Sequence, residues 1–212
     1  MLQTNVKGIA NLEKALEAYG DKNRKAMRDA IKGAAYRLTD RMRREMSAGH
    51  AGGRRFADLS MIGRYTQYGG KNTPLKGMAP AARYWVKDEN PITVSIGFTW
   101  PKLSKAWRYY GKVHQEDHER IVTEPVRKEL IRIGERLGKR SKYRKYFFLK
   151  KSTTAFKYPA RPIIDPFWAA HETEAMDLVR DLYRLKMAGK SWPSIKLYRS
   201  GEHFGRISGH GR

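Results

Sequence analysis

The residues best suited to chemistry stand together in the stretch from His114 to His118, which reads H-Q-E-D-H. Two histidines four residues apart would share one face of a helix, as zinc ligands often do, and Glu119 and Glu124 could add carboxylates. A zinc enzyme also needs a third ligand and a positioned base, and the usual two-histidine helix motif with an adjacent glutamate is not present. The alternative is a helix end whose polar groups bond the backbone or a neighbouring subunit.

Other catalytic patterns are also missing from the sequence. It contains neither a glycine-rich phosphate loop of the form G-x-x-x-x-G-K-[ST] nor a G-x-S-x-G turn. The 212 residues include no cysteine, which excludes disulfides and thiolate metal sites. Carboxylates in so basic a chain have Lys and Arg neighbours that lower their pKa, which suits a structural role. We therefore expect a protein that is not an enzyme and has neither cofactor nor metal, with a His-dependent metallohydrolase as an alternative.

A second conspicuous segment is the basic run from Lys139 to Lys151, which has seven basic residues, no acidic ones and four interleaved aromatic rings. Bases can stack on such rings while phosphates meet the cations, as in single-stranded nucleic-acid binding. The alternative is that Phe147, Phe148 and Leu149 form a strand buried at a subunit contact. Contact with duplex phosphates needs only charge, so it is the form of nucleic-acid binding that we favour.

Composition favours a protein that works against a partner. The formal net charge is +23, which promotes association with polyanions. Leu, Ile, Val and Phe make up only 40 of the 212 residues, so the core is predicted to be small. No window approaches the roughly 18 apolar residues of a membrane helix, and the first ten residues have no apolar run typical of a signal peptide. We expect synthesis in the cytoplasm and no membrane contact.

Apolar periodicity predicts most of the helices. A short helix is expected at 9–18, and a long amphipathic helix with a basic outer face at 22–46, capped by Asp21. Further helices are predicted at 102–115, at 123–137 after Thr123, and from Asp165-Pro166 to about 187, with Gly189 as the stop.

The strands and loops complete a predicted α+β fold. Residues 82–87 and 92–100 are predicted to be two strands, the second with alternating apolar and polar residues. Residues 47–80 are predicted to be a long loop with one helical turn near 58–62. We expect one domain over 1–187, with a small antiparallel sheet packed by the N-terminal and C-terminal helices, followed by an extended basic tail over 188–212.

Two motifs carry a family resemblance. The stretch Y-G-K-V-H-Q (110–115) is followed by a helix at 121–137, and L-K-K-S-T-T (149–154) leads into Y-P-A-R-P-I-I (158–164) and a closing helix. This order resembles the phage virion morphogenesis (tail-completion) proteins over about residues 5–187. The long N-terminal helix also resembles head–tail joining proteins of siphophages. The family often has Phe-Gly-Gly after H-Q, where this chain has Glu-Asp-His, and the 47–80 loop and the tail after residue 187 are longer than usual.

The resemblance implies a structural protein of the virion neck or tail, present in the host cytoplasm during assembly. It implies a homo-oligomeric ring of six or twelve copies around the DNA channel, next to connector, tail terminator or tail tube proteins, with contact with genomic DNA as a further candidate. A stand-alone nucleic-acid-binding protein is the alternative. The residues of the two motifs, which are also candidates for subunit contacts, are His114, Gln115, Pro159, Ala160, Arg161 and Pro162.

Within these motifs Arg161 stands between two prolines that restrict the backbone to extended conformations. A guanidinium held in this way can make a bidentate contact with a carboxylate, either in the same chain or on a neighbouring subunit. The alternative is a rigid connector with a solvated Arg161. The basic residues that are candidates for contact with DNA or with a partner are Arg41, Arg43, Arg44, Arg54, Arg55, Lys139, Arg140, Lys142, Arg144 and Lys145.

Overall fold

The computed structural model describes residues 9–68, 72–87, 89, 91–98 and 100–190. The predicted tail beyond residue 190 lies outside the described residues. The helices, in chain order, are α1 (Ile9–Ala48), α2 (Met61–Tyr68), α3 (Lys105–Val113), α4 (Glu124–Arg136) and α5 (Ile164–Met187). The strands are β1 (His50–Ala51), β2 (Arg54–Arg55), β3 (Arg83–Lys87), β4 (Thr93–Gly97), β5 (His118–Ile121) and β6 (Ala155–Tyr158). Two short 3-10 helices lie at Lys76–Ala81 and Arg144–Phe147.

The predicted α+β class is confirmed, with a long N-terminal helix and a C-terminal helix. In the described residues the strands form three separate two-stranded sheets, β1-β2, β3-β4 and β5-β6. None of the helices in this part of the chain combines the length and apolar character needed to cross a membrane.

The long helix α1 corrects the prediction of two helices separated near Asp21. It runs for 40 residues through Gly20 and Asp21 without interruption. A glycine inside a helix costs about 1 kcal/mol relative to alanine, which a helix of about eleven turns tolerates. The predicted apolar stripe is confirmed at Leu38, Met42 and Met46, which are buried.

The described residues within 47–80 contain more regular secondary structure than predicted. Gly52 and Gly53, with φ of +56° and +76°, form the two-residue turn between β1 and β2, because consecutive positive φ angles match the twist of a hairpin. Helix α2 and the first 3-10 helix follow, so the prediction of a long loop with a single helical turn was wrong.

The predicted strands at 82–87 and 92–100 are confirmed as β3 and β4, with shorter bounds. The apolar face of the second strand is buried only at Ile96 and, just beyond it, Phe98, whereas Val94 is exposed. Strands β5 and β6 were not predicted. They pair antiparallel, with His118 opposite Tyr158 and Ile121 opposite Ala155.

The chain forms two compact units, and α1 and α5 contribute to both. The first comprises the described residues within 9–36, 86–94 and 174–190. Its core is formed by Ala30, Ala34 and Leu182, with Leu178, Val179 and Tyr183 packed around them. Polar contacts join the same helices: Tyr183 Oη donates to Asn23 Oδ1 at 2.6 Å, and Lys186 Nζ lies 3.3 Å from Asp29 Oδ2.

The second unit comprises residues 37–85 and the described residues within 95–173. Its largest fully buried side chains are Met42, Met46, Phe147, Ile163 and Phe167. Two come from α1 and one from the second 3-10 helix, whereas Ile163 directly precedes α5 and Phe167 lies in its first turn. Both sequence motifs and all ten basic candidate residues lie in this unit.

Candidate functional site

The H-Q and P-A-R-P motifs, about 45 residues apart in the sequence, meet in one hydrogen-bonded junction. The N–H of Arg161 donates to the carbonyl oxygen of His114 at 2.8 Å. Gln115 Oε1 accepts from the N–H groups of Ile163 and Ile164 at 3.0 and 3.3 Å, at the start of α5. Its Nε2 donates to the Gly111 carbonyl at 2.9 Å. Gln115 therefore ties the last turn of α3 to the first turn of α5 and accepts from otherwise unpaired donors there.

The turn after His114 extends the same junction. Asp117 Oδ1 accepts a 2.5 Å hydrogen bond from the N–H of Ala160. Pro159 is exposed, and Ala160 and Pro162 are half-buried. The prolines hold this stretch extended, so that the N–H groups of Ala160 and Arg161 both reach the turn that carries the H-Q motif.

Arg161 is buried, with only 4% of its surface exposed, so the interpretation of a solvated side chain was wrong. Its Nε donates to the carbonyl oxygen of Ala57 at 2.8 Å and its Nη2 to that of Asp58 at 3.0 Å. The predicted contact was with a carboxylate, but these acceptors are main-chain carbonyls. A guanidinium suits them because its donors form a fixed fork that reaches two neighbouring oxygens. Arg161 therefore fastens the segment after β2 to the junction.

His114 is held neutral at this junction. Burial, followed by the positive charge of Arg161 and then that of His118, lowers the pKa of His114 to about 4. Its buried Nδ1 has no hydrogen-bond partner among the described residues. The ring therefore contributes packing and carries no charge at neutral pH. The residue's main-chain carbonyl accepts the hydrogen bond from Arg161.

The prediction that His114 and His118 share a helix face was wrong. Helix α3 ends at Val113, and His118 begins β5, where it stacks on Tyr158 with 4.9 Å between ring centroids. The two histidine rings nevertheless lie 5.9 Å apart. Within the described residues, no group of three or more His, Asp or Glu side chains is arranged to hold a metal ion.

A buried polar cluster beside the junction was missed by sequence reasoning. Glu45 of α1 accepts from the N–H of Gly52 at 2.6 Å, and its Oε1 lies 2.7 Å from His171 Nε2 of α5. Burial raises the pKa of Glu45, but the hydrogen bonds from Gly52, His171 and Arg41 outweigh it and lower the pKa below its usual value. The one available signal was an acidic residue on the apolar stripe of a basic helix.

The basic candidates on α1 serve mainly the fold. Arg43 donates twice to the Ala82 carbonyl, at 2.9 and 2.7 Å, and Arg41 pairs with Glu45 at 3.3 Å. Arg44 is the exposed member of the set and pairs with Asp40 at 3.2 Å. These contacts leave α1 a less cationic outer face than the sequence indicates.

Arg54 and Arg55 of β2, by contrast, are both exposed. They line a cleft of about 590 Å³ whose other walls include Phe56, Ala160 and Pro162, so the cleft borders the P-A-R-P motif. Arg55 also lies 3.6 Å from Asp58. Hydrogen bonding from Asn72, with the charges of Arg55 and Arg64, lowers the pKa of Asp58.

The basic run after α4 has one buried ring, that of Phe147, and several exposed cations. Phe147 is fully buried, 5.4 Å from the ring of Tyr65, and a Cβ on Gly134 of α4 would lie 2.9 Å from it. No strand forms at 147–149, where the second 3-10 helix ends at Phe147, so the alternative of a buried strand was wrong. Cations cover three of the other rings at 5.1 to 5.2 Å: Lys142 on Tyr143, Arg144 on Phe148 and Lys145 on Tyr146. Stacking of bases is therefore disfavoured, whereas Lys139, Arg140, Lys142 and Lys145 remain exposed.

Comparisons with protein-family models, with curated proteins and with solved structures returned no match. The resemblance to tail-completion proteins therefore rests on the motif residues of this chain.

Proposed function

We propose that this chain is a structural protein of a phage virion that completes the tail and stabilises head–tail joining as a homo-oligomeric ring around the DNA channel. The observation that carries the proposal is the junction itself. The two motifs that resemble the family meet through the bonds of Gln115, Ala160 and Arg161, as expected of a sequence signature that specifies a fold. His114 is neutral there, which suits a structural role in place of proton transfer.

The exposed surface of the second unit supports a role between partners. Exposed cations occur on β2 and after α4, and the segments that follow β2 and α4 both contact α2. Arg64 of α2 pairs with Asp58 after β2 at 2.9 Å, and Tyr65 packs on Tyr143 with 5.6 Å between ring centroids. Such a surface attracts either the phosphates of DNA or an acidic neighbour in the neck.

Native mass spectrometry tests the proposal. The full chain should assemble as six or twelve copies, and the assembly should bind purified connector or tail terminator rings. Charge reversal at Arg54 and Arg55, both exposed, should weaken partner binding but leave the mass of the ring unchanged. A monomer that binds neither partner would contradict the proposal.

The exposed cations also favour a second candidate, a stand-alone protein that binds duplex DNA without sequence preference. Each phosphate contact contributes about −0.9 to the slope of log affinity against log salt. Replacing Arg54 and Arg55 by Ala should then make the slope shallower by about 2, with the protein monomeric throughout. A ring whose DNA affinity is insensitive to this change would rule out the second candidate.

A further inference from the structure

Helix α3 presents its side chains to solvent along almost its whole length. Residues 105–110 and Lys112 are exposed, and Gly111 is the buried position. Trp107, Tyr109 and Tyr110 are 37%, 64% and 48% exposed. Their rings form a surface cluster, with centroids 6.2 Å apart for Trp107 and Tyr110 and 5.9 Å apart for Tyr109 and Tyr110. Clustered aromatic rings on an exposed helix mark an interaction surface more often than scattered ones do.

The helix is firmly seated despite its exposure. A Cβ on Gly111 would lie 2.5 Å from Phe98 Cγ, so glycine lets the helix rest directly on that ring. Ser104 caps the first turn, and Arg108 donates to the carbonyl oxygens of Pro101 and Leu103 at 2.9 to 3.0 Å. The outward side chains are therefore held on a fixed scaffold, which lowers the entropy lost on binding.

The pattern of the outward face indicates what it binds. Lys105, Tyr109 and Lys112 follow one another at i, i+4 and i+7, so a cation, an exposed ring and a second cation share one stripe. No acidic residue occurs between Pro101 and Gln115. The complementary surface therefore has two acids about two helical turns apart with an apolar position between them.

The chain carries such a surface on α5. The segment from Pro162 to Val179 has four acidic residues and no Lys or Arg, which is unusual in a protein with a net charge of +23. Asp165, Ala169 and Glu172 are all exposed and follow the same i, i+4, i+7 spacing. An acid, a small apolar residue and an acid thus face the solvent, with room for a tyrosine ring over Ala169.

We infer that α3 of one copy packs against the N-terminal half of α5 of a second copy. Each stripe has a charge at both ends and an apolar residue in the middle, so the charges match whether the helices run parallel or antiparallel. The contact joins two different faces of the protomer, which generates a ring when the rotation closes. This inference rests on the proposed ring and names the surfaces that would build it.

Sedimentation velocity of the full chain over a range of concentrations tests the interface by charge exchange. The variant Lys105→Glu with Lys112→Glu reverses the α3 stripe, and Asp165→Lys with Glu172→Lys reverses the α5 stripe. Each pair should raise the dissociation constant for self-association at least about tenfold, because like charges then face each other. The two pairs combined in one chain should restore association to within about threefold of the unaltered protein.

Two further variants sharpen the test. Tyr109→Ala removes the central ring without changing the charge and should weaken self-association by about tenfold or more, as truncation of an interface centre does. Lys139→Glu with Arg140→Glu makes the same charge change at exposed positions outside the stripes and should leave association unaltered. Circular dichroism confirms that each variant is folded.

The interface is wrong if the reversed pairs leave association unchanged, or if their combination is as weak as either pair alone. It is also wrong if the unaltered chain stays monomeric, or if Tyr109→Ala lowers only the affinity for DNA. A monomer that still binds connector rings would refute this interface but leave the proposed virion role intact. Assembly that survives every stripe variant would retain the ring and place its contacts elsewhere.

Discussion

Replacement of Arg161 by Met should destabilise the second unit more than the same replacement at any other basic candidate residue. Methionine fills a similar volume but donates no hydrogen bond. The carbonyl oxygens of Ala57 and Asp58 would lose donors at 2.8 and 3.0 Å. A hydrogen bond from a charged donor contributes about 1.5 to 3 kcal/mol.

Two such bonds give about 3 to 6 kcal/mol, and the released cost of burying the cation reduces the loss. We therefore expect a decrease of about 3 kcal/mol in the free energy of unfolding. For a chain of this size the midpoint of thermal unfolding should fall by roughly 6 to 12 °C.

Urea unfolding followed by circular dichroism measures this loss, with Arg140→Met as the matched control. Arg140 is exposed, so the control removes the same charge at a cost of no more than about 0.5 kcal/mol. Arg161→Lys should fall between the two, because an ammonium cannot reproduce the fork of the guanidinium. Equal urea midpoints for Arg161→Met and Arg140→Met would refute the conclusion that the hydrogen bonds of Arg161 stabilise the junction.

Two more predictions concern the same unit. Because the pKa of His114 is about 4 in the folded chain and near 6.5 when unfolded, its full contribution to stability is present above pH 6.5 and declines as the pH falls towards 4. Between pH 7.5 and 5 the variant His114→Gln should therefore lose about 1 to 2 kcal/mol less stability than the unaltered protein, allowing for solvent screening. An unchanged pH dependence of the free energy of unfolding in urea would contradict this. Gly52→Ala should cost at least about 2 kcal/mol more than Gly53→Ala in the same assay. Both residues have positive φ, but a Cβ on Gly52 would lie 1.9 Å from the Pro166 carbonyl oxygen whereas one on Gly53 meets nothing within 4 Å. Equal losses would show that the hairpin can move away from α5.

Sequence periodicity predicted those elements whose apolar faces are long enough to repeat. Helices α4 and α5 begin close to their predicted caps, and β3 and β4 appear where alternation and a turn signal coincide. Strands β5 and β6 have only four residues each, too few for alternation to reveal them. They pair across more than thirty residues, which local patterns do not encode.

The candidate site was predictable as two motifs but not as one junction. Gln115 was singled out by resemblance, but its bonds of 3.0 and 3.3 Å to the N–H groups of Ile163 and Ile164 at the start of α5 have no signal in the sequence. The partner of Arg161 could not be predicted, because a main-chain carbonyl leaves no mark on composition. Glu45 was missed for a related reason, since its partners His171 and Gly52 are distant or main-chain groups.

The arginines explain why the net charge overstates the number of cations exposed on the surface. Arg43, Arg64, Arg108, Arg127 and Arg161 all donate to main-chain carbonyls of connecting segments. Arg127 alone reaches the carbonyls of Leu149, Lys150 and Thr153 at 2.7 to 3.3 Å, and so holds the segment before β6 against α4.

A chain with few large apolar side chains cannot hold its loops by burial alone. Arginine can hold them instead, because one guanidinium has several N–H donors with fixed directions. These five arginines stabilise the fold, whereas the cations that remain on the surface include Arg54, Arg55, Lys139 and Arg140. Lysine in place of the internal arginines would preserve the charge but supply fewer bonds in fixed directions, so the Arg and Lys of this protein are not interchangeable. The cations exposed on this protein are therefore fewer than its 44 Lys and Arg residues.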